Sequence, residues 1–174
     1  MAQLKPHKRK TEKVADIVRD AGGRIVGRTR LQKIGYLLEL SGLGAGFSFE
    51  YRHYGPYSEE LAVAARNSKL LGLLDEEERP TDWGGFYSVF TVNEAPAVRG
   101  VRPELIGIAA DADPIELELA ATAAFLSLEG ADDPWGETAK RKPEKAQYGR
   151  LENAKRLYRR LQKIKTPTRL PRIV

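Results

Sequence analysis

Residues 113–128, DPIELELAATAAFLSL, constrain the fold more than any other stretch, because they are apolar almost all the way round a helical turn. Asp113 stands where an N-cap is needed, Pro114 in the first turn and Glu116 at the third position, so a helix starts firmly here. A helix without a polar face has to be covered on every side. The rest of the chain must therefore supply elements that surround it.

Four further helices are predicted. Residues 11–21 place Val14, Ile17, Val18 and Ala21 on one face and end at Gly22-Gly23. In the second helix Thr29 and Gln32 have capping-box spacing, Leu31, Ile34, Leu37 and Leu38 form an apolar stripe, and Gly42 provides a left-handed stop. The third covers 56–71, with Leu61, Ala64, Ala65 and Leu70 inward, Glu59 and Glu60 complementing its positive end, and Gly72 after it. The last runs from Pro143 to about residue 165, with Leu151, Ala154, Tyr158 and Leu161 along one side. Alternating Phe47, Phe49 and Tyr51 predict a short strand, and 73–92 a strand pair. Residues 93–112 and 130–136, the latter with Trp135, are rich in Gly, Pro and Ala and read as irregular.

The expected fold is α+β and mainly helical, with about five helices and a small three-stranded antiparallel sheet. Its N-terminal part is winged-helix-like, except that the short strand precedes the third helix instead of following the first. One globular domain over 11–165 is expected, comprising an 11–92 core and a helical extension over 93–165. A basic flexible arm, 1–10, and a flexible tail, 166–174, flank it.

Composition narrows the chemistry. The chain has no cysteine, which removes thiolate metal sites, cysteine nucleophiles and disulfides, and its two histidines, His7 and His53, form no metal-ligand pair. There is no phosphate loop, dinucleotide fingerprint or nucleophile elbow. No enzyme activity, catalytic residue, metal or cofactor is therefore expected. An acid/base pair of His53 with Glu59 or Glu60 competes with the capping and dipole roles of those carboxylates. No apolar run approaches the roughly 20 residues of a membrane span, and the charged start does not read as a secretory signal. A cytoplasmic protein without membrane contact is the expectation.

The net charge of +5 hides a segregation. Residues 1–33 hold ten Lys/Arg against three Asp/Glu and residues 140–174 hold thirteen against two, which leaves six against nineteen between them. In the last helix Arg156, Arg159, Arg160 and Lys163 recur at i, i+3, i+4 and i+7, opposite the apolar stripe. That row suits phosphate contacts, a solvated surface or pairing within a homodimer.

Chemistry of another kind gathers at 51–57, where Tyr51, Arg52, His53, Tyr54, Gly55, Pro56 and Tyr57 follow one another. Two readings stay open: rings packed beneath a turn, or an outward recognition surface of residue types that combine apolar area with directional hydrogen bonds. Arg28, Arg30 and Lys33 nearby would suit an acidic patch on a partner.

Together, Arg30-Leu31-Gln32-Lys33-Ile34, Tyr36 and the HYGPYSEEL run resemble the Panacea/SocA-like antitoxin-related bacterial family over roughly residues 11–92. That family usually has a Lys-Leu-Gln-Lys-Leu helix and a Trp-x-x-Gly-Pro turn; here Tyr51-Arg52-His53-Tyr54 stands before Gly55-Pro56. The resemblance implies a non-enzymatic, antitoxin-like module that binds and neutralises or adapts a partner protein, such as a toxin encoded nearby. The partner-binding candidates are Arg28, Arg30, Lys33 and 51–57. The alternative is a winged-helix-like transcriptional regulator that meets nucleic acid through Arg156, Arg159, Arg160 and Lys163.

Overall fold

Among the residues that the computed structural model describes, 8–93 and 99–174, the chain forms seven helices and five strands. In order they are α1 (Lys10–Asp20), β1 (Arg24–Val26), α2 (Arg28–Leu40), β2 (Glu50–Arg52), β3 (Gly55–Tyr57), α3 (Glu59–Leu70), β4 (Asp75–Pro80), β5 (Phe86–Thr91), α4 (Val101–Asp111), α5 (Pro114–Leu128), α6 (Pro134–Arg141) and α7 (Arg150–Gln162). The class is α+β, mainly helical, with one three-stranded antiparallel sheet in the order β1-β5-β4 and a separate β2-β3 hairpin.

Helix α5 is the centre. Asp113 Oδ1 accepts from the amides of Ile115 and Glu116 at 2.9 and 3.1 Å, and α2, α6, α7 and β3 cover the faces behind that start. Around it Leu31, Ile34, Leu37 and Leu38 of α2 are all buried, as their spacing predicts. Helix α1 buries Val14, Ile17 and Val18 and packs on α3.

Two helices stand where irregular chain was expected. Pro103 lies within the first turn of α4 and Pro134 opens α6, positions where a missing amide hydrogen breaks no helical bond. Asp133 caps α6 through Gly136 N, and Trp135 is buried with its ring 6.0 Å from that of Tyr158. Conversely, the last helix does not begin at Pro143: Tyr148 and Gly149 both have positive φ, which interrupts helical geometry until Arg150.

The third strand of the sheet is also not the expected one. Strand β1 takes that place, with Ile25 opposite Phe90, while residues 50–57 fold onto themselves as β2-β3. Pro56 is a strand residue and α3 starts at Glu59, because Ser58 Oγ caps Leu61 N at 3.1 Å. Leu70 points to solvent instead of inward. The Thr29–Gln32 capping box is absent: α2 starts behind Gly27 without a side-chain cap, and the Gln32 amide is used elsewhere.

The expected flexible tail is docked. Leu170 is buried, Thr168 N donates to Ser41 O at 3.0 Å, and both Tyr158 Oη and Gln162 Nε2 donate to Pro171 O. Leu170 and the partly buried Ile173 are two apolar positions in a stretch broken by Pro167 and Pro171, too few to show a period, so the sequence pattern does not reveal the docking. Of the expected basic arm, residues 1–7 lie outside the described residues; Lys8 pairs with Asp16, and Lys10 opens α1 and pairs with Glu60. Among the described residues no helix is long and apolar enough to cross a membrane.

Candidate functional site

The β2-β3 hairpin turns through two residues, His53 and Tyr54, between paired Arg52 and Gly55. It lacks an Asn-Gly or Gly-Gly turn; the positive φ is supplied one residue later by Gly55, at 85°. Gly55 and Pro56 are buried against α5, and a Cβ on Gly55 would lie 2.5 Å from Thr122 Oγ1. That hydroxyl is itself buried and has no hydrogen-bond partner among the described residues.

Buried cations hold the hairpin's backbone. Lys33, only 1% exposed, donates from Nζ to Pro56 O at 2.8 Å. Lys142 donates to His53 O at 2.9 Å and to Glu118 Oε1 at 2.8 Å, and Lys145 reaches both oxygens of Glu118 at 2.8 and 2.9 Å. Glu118 is 3% exposed, so a single buried carboxylate on an otherwise apolar helix faces two ammonium groups directly and a third, Lys33, through space. Gln32 completes the clamp by donating to Ser58 O and accepting from Ser58 N at 2.9 and 2.8 Å. The chain from 53 to 58 is thus pinned by side chains of α2 and of the segment after α6.

Burial pushes the Lys33 amine down to about 8; Glu118 opposes that shift, and Lys142 and Lys145 add to it. The unfolded chain, with its lysine near the ordinary 10.5, binds more protons between those values, so stability contributed by Lys33 rises with pH from about 8 to about 10.5. The unfolding free energy of the native chain should therefore gain on that of Lys33→Met between about pH 8 and about pH 10, by at most about 1.4 kcal/mol per unit. Urea titrations across this range measure the difference; a constant one would contradict the assignment.

Two clefts flank the hairpin. One, of about 410 Å³, brings together Arg28, Lys33, Tyr54 and Tyr57 with Gln32 and Arg66. The other, of about 430 Å³, joins Tyr51, Arg52 and His53 to Arg141, Lys142 and Lys145. Tyr54 is 53% exposed at the tip, with the His53 ring edge-on at 4.7 Å and Lys145 Nζ 4.6 Å from its centroid. Arg52 lies 4.6 Å over Tyr57, while half-buried Tyr51 leans on Phe125 at 5.8 Å beneath Arg141.

The proposed partner-facing set therefore divides. Arg52, His53 and Tyr54 face outward and Tyr57 partly so, whereas Gly55, Pro56 and Lys33 are internal. Lys33 is no solvated base, because its flexible stem carries the amine inward to a backbone carbonyl. Arg28 lies at the cleft rim but is engaged by Glu76 and Glu78 at 3.0 and 3.1 Å. Arg30 faces away from the cleft and ties Val26 O to Ala112 O, at 2.5 and 2.8 Å, with its guanidinium held below its usual range by burial. Sequence reasoning missed Glu118, Lys142, Lys145 and Thr122. The usable signal was Glu118, a carboxylate in the middle of a helix with no polar face.

His53 does not pair with the carboxylates considered for acid/base work. Glu59 is taken by Arg52 and Tyr57 Oη, and Glu60 by Lys10 and the Ser48 amide. On α7 and at its C-cap, Arg156, Arg159, Arg160 and Lys163 are all exposed and, among the described residues, make no ion pair; Arg156 donates to Asn153 Oδ1 at 2.7 Å. Also among the described residues, no group of three or more His, Asp or Glu is arranged to hold a metal ion. Compared with models of known families, with curated proteins and with solved structures, the chain finds no match.

Proposed function

We propose that this chain is a non-enzymatic, antitoxin-like interaction module of the Panacea/SocA-like kind, which binds a partner protein with its 51–57 hairpin and neutralises or adapts it. The observation that carries this reading is the contrast between Tyr54, exposed at the tip, and the backbone on either side of it, held by buried Lys33 and Lys142. An exposed aromatic on a pre-ordered turn loses little conformational freedom on binding, and Tyr and Arg are the residue types that dominate interface energetics. Arg52, Arg141 and Lys145 around it are each paired within the chain, with Glu50 and Glu59, Glu137, and Glu118 respectively, so the reading rests on the aromatic tip and not on free charge.

Co-expression with the adjacent gene's product, a toxin candidate, tests the reading: a stable complex should form, with relief of any growth arrest the product causes. Tyr54→Ala is expected to weaken that complex by about 2 kcal/mol, roughly 30-fold in Kd, while leaving the melting temperature within a degree or so. No complex, or a complex indifferent to Tyr54→Ala, would refute it.

The alternative, nucleic-acid binding, draws support from the order α1-β1-α2-α3-β4-β5 with β1 beside β5, an order that a winged helix would also have, and from exposed Arg156, Arg159, Arg160 and Lys163, which make no ion pair among the described residues. It is the weaker reading because the helix and strands that would approach a duplex are poorly suited to phosphates. Helix α3 begins with Glu59 and Glu60, and β4 carries Asp75, Glu76, Glu77 and Glu78.

A further inference from the structure

Residues 150–174 hold nine Lys/Arg against one acid, Glu152, which stands at the N-terminal end of α7 and pairs with Lys155. On other elements Lys10, Arg28, Arg52 and Arg141 each hold a carboxylate of the chain. Arg156, Arg159, Arg160 and Lys163 hold none among the described residues, and at 3.6 residues per turn they fall within an arc of about 100° on the exposed side of α7.

The docked tail widens this row. Tyr158 Oη and Gln162 Nε2 both donate to Pro171 O, and around the helix Gln162 lies between buried Tyr158 and exposed Arg159. Pro171 is thereby fixed on the flank of the row. Arg169 and Arg172, both exposed and without an ion pair among the described residues, stand on either side of the Leu170-Pro171 anchor. Gathering like charges in this way costs the compact state stability, and a bound polyanion offsets that cost.

The make-up of the surface selects among polyanions. Five of these six cations are arginine, whose planar fork matches phosphate oxygens. Leu157, Tyr158, Leu161 and Ile164, the apolar side of α7, are all buried, so no apolar face is left to enter a membrane surface, and the row lacks the apolar or aromatic centre of a protein interface. It also lacks a ring on which the bases of a single strand could stack. From Arg156 to Lys163 the row extends about 10 Å, the axial length of about three phosphates along one strand of a duplex.

We infer that α7 and the tail docked on it form one phosphate-binding surface for duplex nucleic acid, which engages the backbone irrespective of sequence. This surface uses neither the hairpin tip nor α3. It therefore gives the proposed interaction module a second ligand, and it stands or falls separately from both the partner complex and a winged-helix mode of binding.

Fluorescence anisotropy of the full chain with two labelled duplexes of unrelated sequence, at about 50 to 200 mM salt, tests it. Both duplexes should bind alike, and affinity should fall with salt at a log-log slope of magnitude up to about 5, taking about 0.9 for each of the six cations. Arg159→Gln with Arg160→Gln should reduce that slope by about 2 and leave the thermal melt unchanged, because both side chains are exposed. Arg169→Gln with Arg172→Gln should reduce it by a similar amount, whereas the Lys versions of both pairs should keep it, which separates charge from folding. Tyr54→Ala should leave duplex binding intact even where it abolishes the partner complex. Failure to bind either duplex at about 50 mM salt, or a slope indifferent to either Gln pair, overturns the inference. So does loss of binding in Arg66→Gln, which assigns the contact to α3, and so does binding to phosphatidylserine vesicles by a chain that ignores the duplexes.

Discussion

Glu118→Gln is expected to destabilise the protein by about 3 to 5 kcal/mol, because removing one member of a buried ionic cluster leaves the opposite charges uncompensated. Lys142 is nearly as buried as Glu118 and, among the described residues, donates to no other carboxylate; Lys145 is more exposed and can turn to water. Glutamine keeps the shape and one acceptor oxygen, so the loss reports charge and not a cavity. It should exceed the effect of any exposed pair, such as Lys155 with Glu152, for which about 0 to 1 kcal/mol is the usual range. Lys142→Met placed in the Glu118→Gln background should recover part of the stability, and the resulting cycle gives the coupling between the two residues. Urea unfolding of the four proteins measures it. If Glu118→Gln costs under about 1 kcal/mol, the lysines are not held by this carboxylate, and the clamp on His53 O loses its basis.

The parts of the fold that were legible are those whose cause is local. Asp113 and Pro114 start α5 wherever its partners lie, and Gly42 and Gly72, both at positive φ, end α2 and α3 by their own conformational freedom. Helices α4 and α6 were missed because Pro103, Gly107, Pro134 and Gly136 average to a breaker signal over a window, although both prolines sit where a helix tolerates them. The strand pairing of Ile25 with Phe90 depends on a partner distant in sequence, and three residues carry too little alternation to announce it. At the site the division is similar. The turn residues 53–56 were visible as a break in pattern, while the inward course of Lys33 was not. Its position beside the apolar stripe of α2 suits either a snorkelling surface lysine or a buried one, and the choice is made by Pro56 O and Glu118.

The same distinction between local and tertiary causes can be measured at Gly55. Gly55→Val is expected to cost about 2 to 5 kcal/mol, the sum of about 1 to 2 for an L-residue in the left-handed region and about 1 to 3 for overpacking against α5. The φ of 85° makes the first term local to the hairpin, and the 2.5 Å approach to Thr122 Oγ1 makes the second a property of the packing on α5. Thr122→Ala removes the hydroxyl that crowds this position, and because that oxygen has no hydrogen-bond partner among the described residues the single change should be close to neutral. Combined with Gly55→Ala it should remove the packing term and leave the conformational one, so the double variant is expected to be more stable than Gly55→Ala alone yet less stable than the native chain. Thermal and urea unfolding of this set decides the matter. Full recovery in the double variant would mean that close approach to α5 alone requires the glycine; no recovery would mean that the turn conformation alone does. A Gly55→Val protein with native stability would contradict both terms, and with them the picture of a hairpin held in one geometry so that Tyr54 can be presented to a partner.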